Sequence, residues 1–188
     1  MSATSRVYAA GTPVVPPIAQ SAEAVTEKKP ELADRMVIFA WSGELDKVWP
    51  TLILATTAAA MGKDTTVFFT FWGLFPLVKN EVRITGDNWM QKMLSLMNRG
   101  GDEHLKLSKM NFVGAGPAMM NHLAKEHGVA SPHELMEIAI EMGVHMVPCQ
   151  MTMDMMGLKR SDLIDGIDEP AGATKALADA QGAITLFI

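Results

Sequence analysis

Apolar runs of strand length alternate along this chain with stretches of helical spacing. Residues 36–41 form a continuous apolar run, the pattern of a strand buried on both faces. Ser42, Gly43 and Glu44 make the turn after it. A helix is predicted from about Asp46, with Pro50 in its first turn, through Leu52, Ile53, Ala55, Ala58 and Ala59 to a stop at Gly62. It is apolar almost all round and is expected to be largely buried. Residues 65–71, β-branched and aromatic, read as the second strand and complete a first βαβ unit. The apolar stretch 72–78 follows directly.

The pattern is weakest between Lys79 and Gly116. Residues 88–97 suit a helix with Trp89, Met90, Met93 and Met97 as its stripe, and 106–113 a loop or short extended piece. Gly116 and Pro117 open a helix that Gly128 stops. Ser131, Pro132 and Glu134 spell a capping box with proline at the first helical position. Leu135, Ile138, Ala139 and Met142 form the predicted buried stripe, ended by Gly143. Next come a strand at 144–148, a helix at 150–156 closed by Gly157, and a short helix capped by Ser161. An extended piece near 164–167, a helix at 171–180 and a last strand at 183–187 complete the chain. The alternation predicts an α/β domain over 35–188, with a mostly parallel sheet of about five strands and helices on both faces. Ligands of such sheets sit at the carboxyl ends of the strands, where Ser42, Trp72 and Cys149 are expected.

Residues 1–34 carry Pro13, Pro16, Pro17 and Pro30 among Ala, Ser, Thr and Glu with no sustained period, and read as a flexible tail. Arg6 is followed by a broken apolar run and not by the core of a signal peptide. Neither the first helix nor 72–78 reaches the ~20 clean apolar residues of a membrane span, so membrane association is not expected. The 188 residues are 48% apolar, enough for one buried core. A net charge of -5 without a basic stripe argues against nucleic acid as a partner. The positive mean hydropathy of +0.14, with the apolar 72–78 and Met-rich segments, predicts a homo-oligomer.

A single cysteine excludes an intrachain disulfide, a multi-cysteine zinc site and a Cys-x-x-Cys pair, and makes a reducing, cytoplasmic setting the natural one. Cys149 falls between the strand at 144–148 and the following helix, where backbone N–H groups and the positive helix end favour the thiolate. The competing reading is a small buried hydrophobe, the common state of a lone cysteine.

The run 148–157 around Cys149 resembles the cysteine motif of the DsrE/DsrF-like family, in its larger single-cysteine branch. Three further features carry the resemblance. They are Lys109, Met110 and Asn111 with Gly114, Gly116, Pro117, Met119 and Met120; then 131–135; then Gly172 and Ala173 after Asp168 and Glu169. The resemblance is to the whole domain, roughly residues 36–188. The resemblance implies a flavodoxin-like or Rossmann-like fold, an oligomer, and a cysteine that carries sulfane sulfur as a persulfide. Only Cys149 carries over as a catalytic residue. The partners so implied are TusA-like and rhodanese-like sulfur-carrier proteins, and the expected role is sulfur transfer in sulfur oxidation or relay, without a cofactor. Gln150, Thr152, Asp154 and the amides after Cys149 are expected to tune or shield the sulfur. A binding module with a structural cysteine and a one-cysteine peroxidase remain the alternatives, the latter without a nearby arginine before Arg160.

Other constellations point to packing. His122 and His127 are five apart, not the four that face one metal from a helix, and no metal site is expected. His145 shares a strand face with Val147 and Cys149 but lies about 13 Å from the cysteine, too far for a direct base. The 16 methionines fill gaps or soften a docking surface around the thiol. Gly114 and Gly116 lack the third glycine of a dinucleotide fingerprint.

Overall fold

In the computed structural model, which describes residues 33–82, 89 and 100–188, strand β1 (Arg35–Ala40) lies in the middle of the sheet. Helix α1 (Leu45–Ala60) returns the chain to β2 (Asp64–Phe69), the βαβ unit expected from the apolar alternation. Helices α2 (Ala115–Glu126) and α3 (Pro132–Glu141) lead to β3 (His145–Pro148), followed by α4 (Gln150–Met156), α5 (Ala173–Ala180) and β4 (Ile184–Phe187). The strand order is β3-β2-β1-β4, with every pairing parallel. Four strands stand among the described residues, where about five were expected. Residues 164–167 are not a strand. Instead Asp168 N donates to Met146 O and Ala171 N to Pro148 O, each at 3.0 Å, so the chain follows the edge of β3 a few residues later. Pro170 has no N–H to give, and the alignment stays a single bridge between Cys149 and Ala171.

The main core lies on one face of the sheet. Ile38, Val67, Phe69 and Met146 meet Leu52 and Ala55 of α1, Leu135, Met136 and Ala139 of α3, and Met153 of α4. Burying each of the larger side chains contributes about 1.5–3 kcal/mol relative to exposure. Trp49 Nε1 donates to Ala130 O at 2.8 Å, fixing α1 against the entry to α3. That entry has the expected capping box, Ser131 Oγ accepting from Glu134 N and Glu134 Oε2 from Ser131 N. The opposite face is covered thinly, by α5, which brings Ala176 against Phe68, Val147 and Cys149.

Several local expectations change. Pro50 lies in the second turn of α1, which begins at Leu45. α1 is not buried all round: the sheet and α3 cover part of it, and Ile53 and Leu54 stay 40% and 37% exposed. The buried stripe of α3 is Leu135, Met136 and Ala139, while Ile138 and Met142 face outward. Ser161 caps nothing. Lys159 stands before the 3-10 turn Arg160–Asp162, and Asp162 Oδ2 accepts from its amide at 2.8 Å. The 72–78 stretch coils into the 3-10 helix Phe71–Leu77, which buries Leu74, Phe75 and Leu77 and leaves Trp72 exposed. The tail at 1–32 and the 88–97 helix, apart from Trp89, lie outside the described residues. No described helix is long and apolar enough to cross a membrane.

Candidate functional site

Cys149 stands where β3 ends and α4 begins, and the parallel register of β2 and β3 decides its neighbours. Phe68 pairs with Val147 and Phe69 with Pro148, and Cys149 N donates to Phe69 O at 2.9 Å. One step further along, Thr70 comes beside Cys149. Side chains alternate along strands, so Thr70 joins Phe68, Val147 and Cys149 on the thinly covered face. The α4 backbone then brings Thr152, three residues on, up to Thr70. Their hydroxyl oxygens are 3.2 Å apart, and Phe71 N donates to Thr152 Oγ1 at 3.1 Å.

The electrostatics at the sulfur oppose each other. Burial pushes the Cys149 thiol up. Hydrogen bonds from the Thr152 hydroxyl and amide, the Thr70 hydroxyl and the Met151 amide outweigh it, and the thiol lies below its ordinary value. The thiolate thus forms more readily than in an unperturbed cysteine, although α4 is only seven residues long and the local donors carry the effect. The junction is not partly open as expected of a reactive thiol. Cys149 is 4% exposed, packed with Phe68, Val147 and Ala176 and with Phe39 and Ala171 against that cluster. The reason is the chain along the β3 edge: Gln150 N donates to Ala171 O at 3.0 Å, which holds Ala171 against the site.

The other anticipated residues divide into three groups. Thr152 meets Cys149. Gln150 and Asp154 bond each other instead, Nε2 to Oδ1 at 2.7 Å, on the exposed side of α4. Ser42 and Trp72 line a separate cavity of about 420 Å³ with Trp41, Glu44, Phe75 and His104, and Cys149 is not part of its wall. Ser42 Oγ donates to Glu44 Oε2 at 2.8 Å there. Two glycines let the loops that build this edge touch: a Cβ on Gly43 would fall 2.3 Å from Trp72 O, and one on Gly73 would fall 2.2 Å from Ala40 O. His145 sits at the other end of β3, its Nδ1 3.1 Å from Asp168 Oδ1 and its Nε2 3.8 Å from Asp64 Oδ1. Among the described residues no group of three or more His, Cys, Asp or Glu side chains could hold a metal.

Thr70 was missed by sequence reading, which placed it inside the second strand as one more β-branched residue. Its neighbour Phe71 has a left-handed backbone, φ 49°, a rare conformation for a non-glycine residue. The signal that could have found Thr70 is the pairing of β2 with β3 together with the end of each strand.

The chain is 37% identical over 160 residues to the sulfur carrier protein DsrE2 of Allochromatium vinosum, covering 82% of this chain and 98% of that one. It is 42% identical over 159 residues to the uncharacterized protein YrkE of Bacillus subtilis (strain 168), covering 84% and 99%. The crystal structure of YchN from E. coli superimposes with a TM-score of 0.51 at 14% identity, over 82% of this chain and 98% of that one, a likeness of fold. A family model described as DsrE/DsrF/DrsH-like matches residues 32–187, and the chain belongs to this family.

Proposed function

We propose that this protein is a sulfur carrier that holds sulfane sulfur as a persulfide on Cys149 and passes it between proteins of a sulfur relay. The observation that carries the reading is the Cys149 thiol, lowered by the donors of Thr152, Thr70 and Met151 at the carboxyl end of β3. The likeness to a protein named as a sulfur carrier supports it. In the loading step the Cys149 thiolate attacks the outer sulfur of a donor persulfide, a new S–S bond forms at Sγ, and the donor leaves as a thiolate. The outer sulfur keeps its proton, so atoms and charge balance without a cofactor. One cysteine suffices, because the acceptor thiolate itself resolves the persulfide.

TusA-like and rhodanese-like proteins in a cytoplasmic sulfur-oxidation or relay system are the partners this reading takes from the resemblance. A homo-oligomer belongs to it as well, supported by the outward Ile53, Leu54, Ile138 and Met142 of the helical face. A second reading, a binding module with a structural cysteine, has one observation in its favour: the burial of Cys149 among Phe68, Val147 and Ala176. The peroxidase reading has no comparable observation behind it: the Arg160 guanidinium donates to Ile164 O at 3.2 Å and Ile167 O at 3.1 Å.

The test is the intact mass of wild type and Cys149→Ser after brief exposure to polysulfide, and again after a reductant. One added sulfur on wild type only, removed by the reductant, is the expected result. A wild type left unmodified by polysulfide, thiosulfate and a rhodanese persulfide would favour the binding module.

A further inference from the structure

Building on the persulfide reading, we propose that Thr70 is a catalytic residue: its hydroxyl, paired with that of Thr152, holds the Cys149 sulfur as the departing thiolate when sulfane sulfur is handed on. The register places Thr70 and Cys149 side by side on one face, one step beyond the Phe69–Pro148 pair. Neighbouring strands lie about 4.8 Å apart, within reach of a hydroxyl and a sulfur. The two hydroxyls have two hydrogens. Their mutual contact at 3.2 Å uses one, and the other is left for Sγ.

Phe71 anchors one member of this pair. Its amide donates to Thr152 Oγ1, so that oxygen already accepts a hydrogen bond and its own hydrogen must be directed elsewhere. Thr152 is fully buried, which leaves no water to take that hydrogen. The extended backbone of Thr70, ψ 158°, carries the Phe71 amide to that oxygen, and the left-handed φ of Phe71 turns the chain away after it. Both hydroxyls lie close enough to lower the thiol, and whichever of them donates to its partner leaves the other's hydrogen for Sγ.

In the handing-on step the acceptor thiolate attacks the outer sulfur of Cys149–S–SH. A bond forms between acceptor and outer sulfur, the S–S bond at Sγ breaks, and its electron pair goes to Sγ. The proton stays on the transferred sulfur, and no external oxidant or reductant enters. Charge grows on Sγ only as that bond breaks, so fixed donors there favour the transition state over the loaded state. A stabilised thiolate is the better leaving group and the poorer nucleophile. The hydroxyl pair therefore speeds release more than loading, and the site is built to pass sulfur onward.

The experiment compares wild type, Thr70→Val, Thr70→Ala and Thr70→Ser. Ultraviolet thiolate absorbance against pH, with Cys149→Ser as baseline, reports Cys149 alone because the chain has one cysteine. Release is followed by intact mass after polysulfide loading, with 2-mercaptoethanol as acceptor, at a pH where every variant is ionised. Thr70→Val and Thr70→Ala should titrate at higher pH and release sulfur about tenfold more slowly, the loss of one hydrogen bond to a charged group. Loading should be unchanged or faster, and Thr70→Ser should restore both readouts. A cooperatively melting Thr70→Val or Thr70→Ala with wild-type titration and release would overturn the proposal while leaving the persulfide reading intact. A wild type that takes up no sulfur would remove the persulfide reading, and with it Thr70's role in release; the titration then decides separately whether its hydroxyl reaches the sulfur.

Discussion

Phe71 N donates to Thr152 Oγ1 at 3.1 Å, tying the end of β2 to the helix that follows Cys149. Residues 81 positions apart in the chain thereby share one buried hydroxyl. The bond sets where α4 starts relative to the sheet, and through Thr70 it sets what surrounds the sulfur.

Thr152→Val keeps the shape and removes that hydroxyl. Phe71 N would lose its acceptor where little water can replace it, at a cost of about 1–3 kcal/mol. Urea denaturation should show the midpoint falling with an unchanged slope. Stability within about 0.5 kcal/mol of wild type would mean that the Phe71 amide finds another partner.

The low-lying Cys149 thiol makes stability depend on pH. In the native state it ionises at lower pH than its ordinary 9.0, so the unfolded chain binds more protons in between and stability rises with pH. The contribution is complete above the unfolded value and is lost as pH falls through the folded one. Denaturation of wild type and Cys149→Ser across this window should show their difference growing in favour of wild type as pH rises. A constant difference would mean that the thiol is not lowered.

Gly73→Ala would place a Cβ 2.2 Å from the Ala40 carbonyl oxygen, a backbone atom that cannot turn aside. The loops after β1 and β2 would separate, at a cost beyond about 2 kcal/mol. Because Gly73 follows Thr70 so closely, thiolate titration should shift as well as the melt. An alanine variant that matches wild type in both would show that this edge is more adaptable than its close approach implies.

Leu54→Lys tests the oligomer. Ile53 and Leu54 face outward on a helix otherwise anchored by Leu52 and Ala55, and Met61 continues the apolar surface at its end. Light scattering should find wild type larger than one chain at micromolar concentration and the lysine variant smaller, with its melt in dilute solution changed by less than about 0.5 kcal/mol. A monomeric wild type would remove the homo-oligomer.

By itself the sequence determined the alternation of strands and helices, the capping box at Ser131 and Glu134, and the place of Cys149 between a strand and a helix. These are local matters. Period, capping chemistry and glycine stops act over a few residues and need no partner from elsewhere in the chain. The faces of α1 and α3 were less legible, because Ile53 and Ile138 are as apolar as Leu52 and Leu135, and only the positions of sheet and neighbouring helix decide which are covered. Ser42 and Trp72 follow the ends of β1 and β2, yet that edge has more than one place, and they line a cavity apart from the sulfur. Thr70 lay beyond sequence reasoning for the same reason. Its meeting with Cys149 is a matter of register between two strands far apart in sequence, and a slip of one residue would have turned its hydroxyl to the other face. The burial of Cys149 under Ala171 was likewise decided by tertiary structure, since only folding brings the chain after Asp168 along the edge of β3.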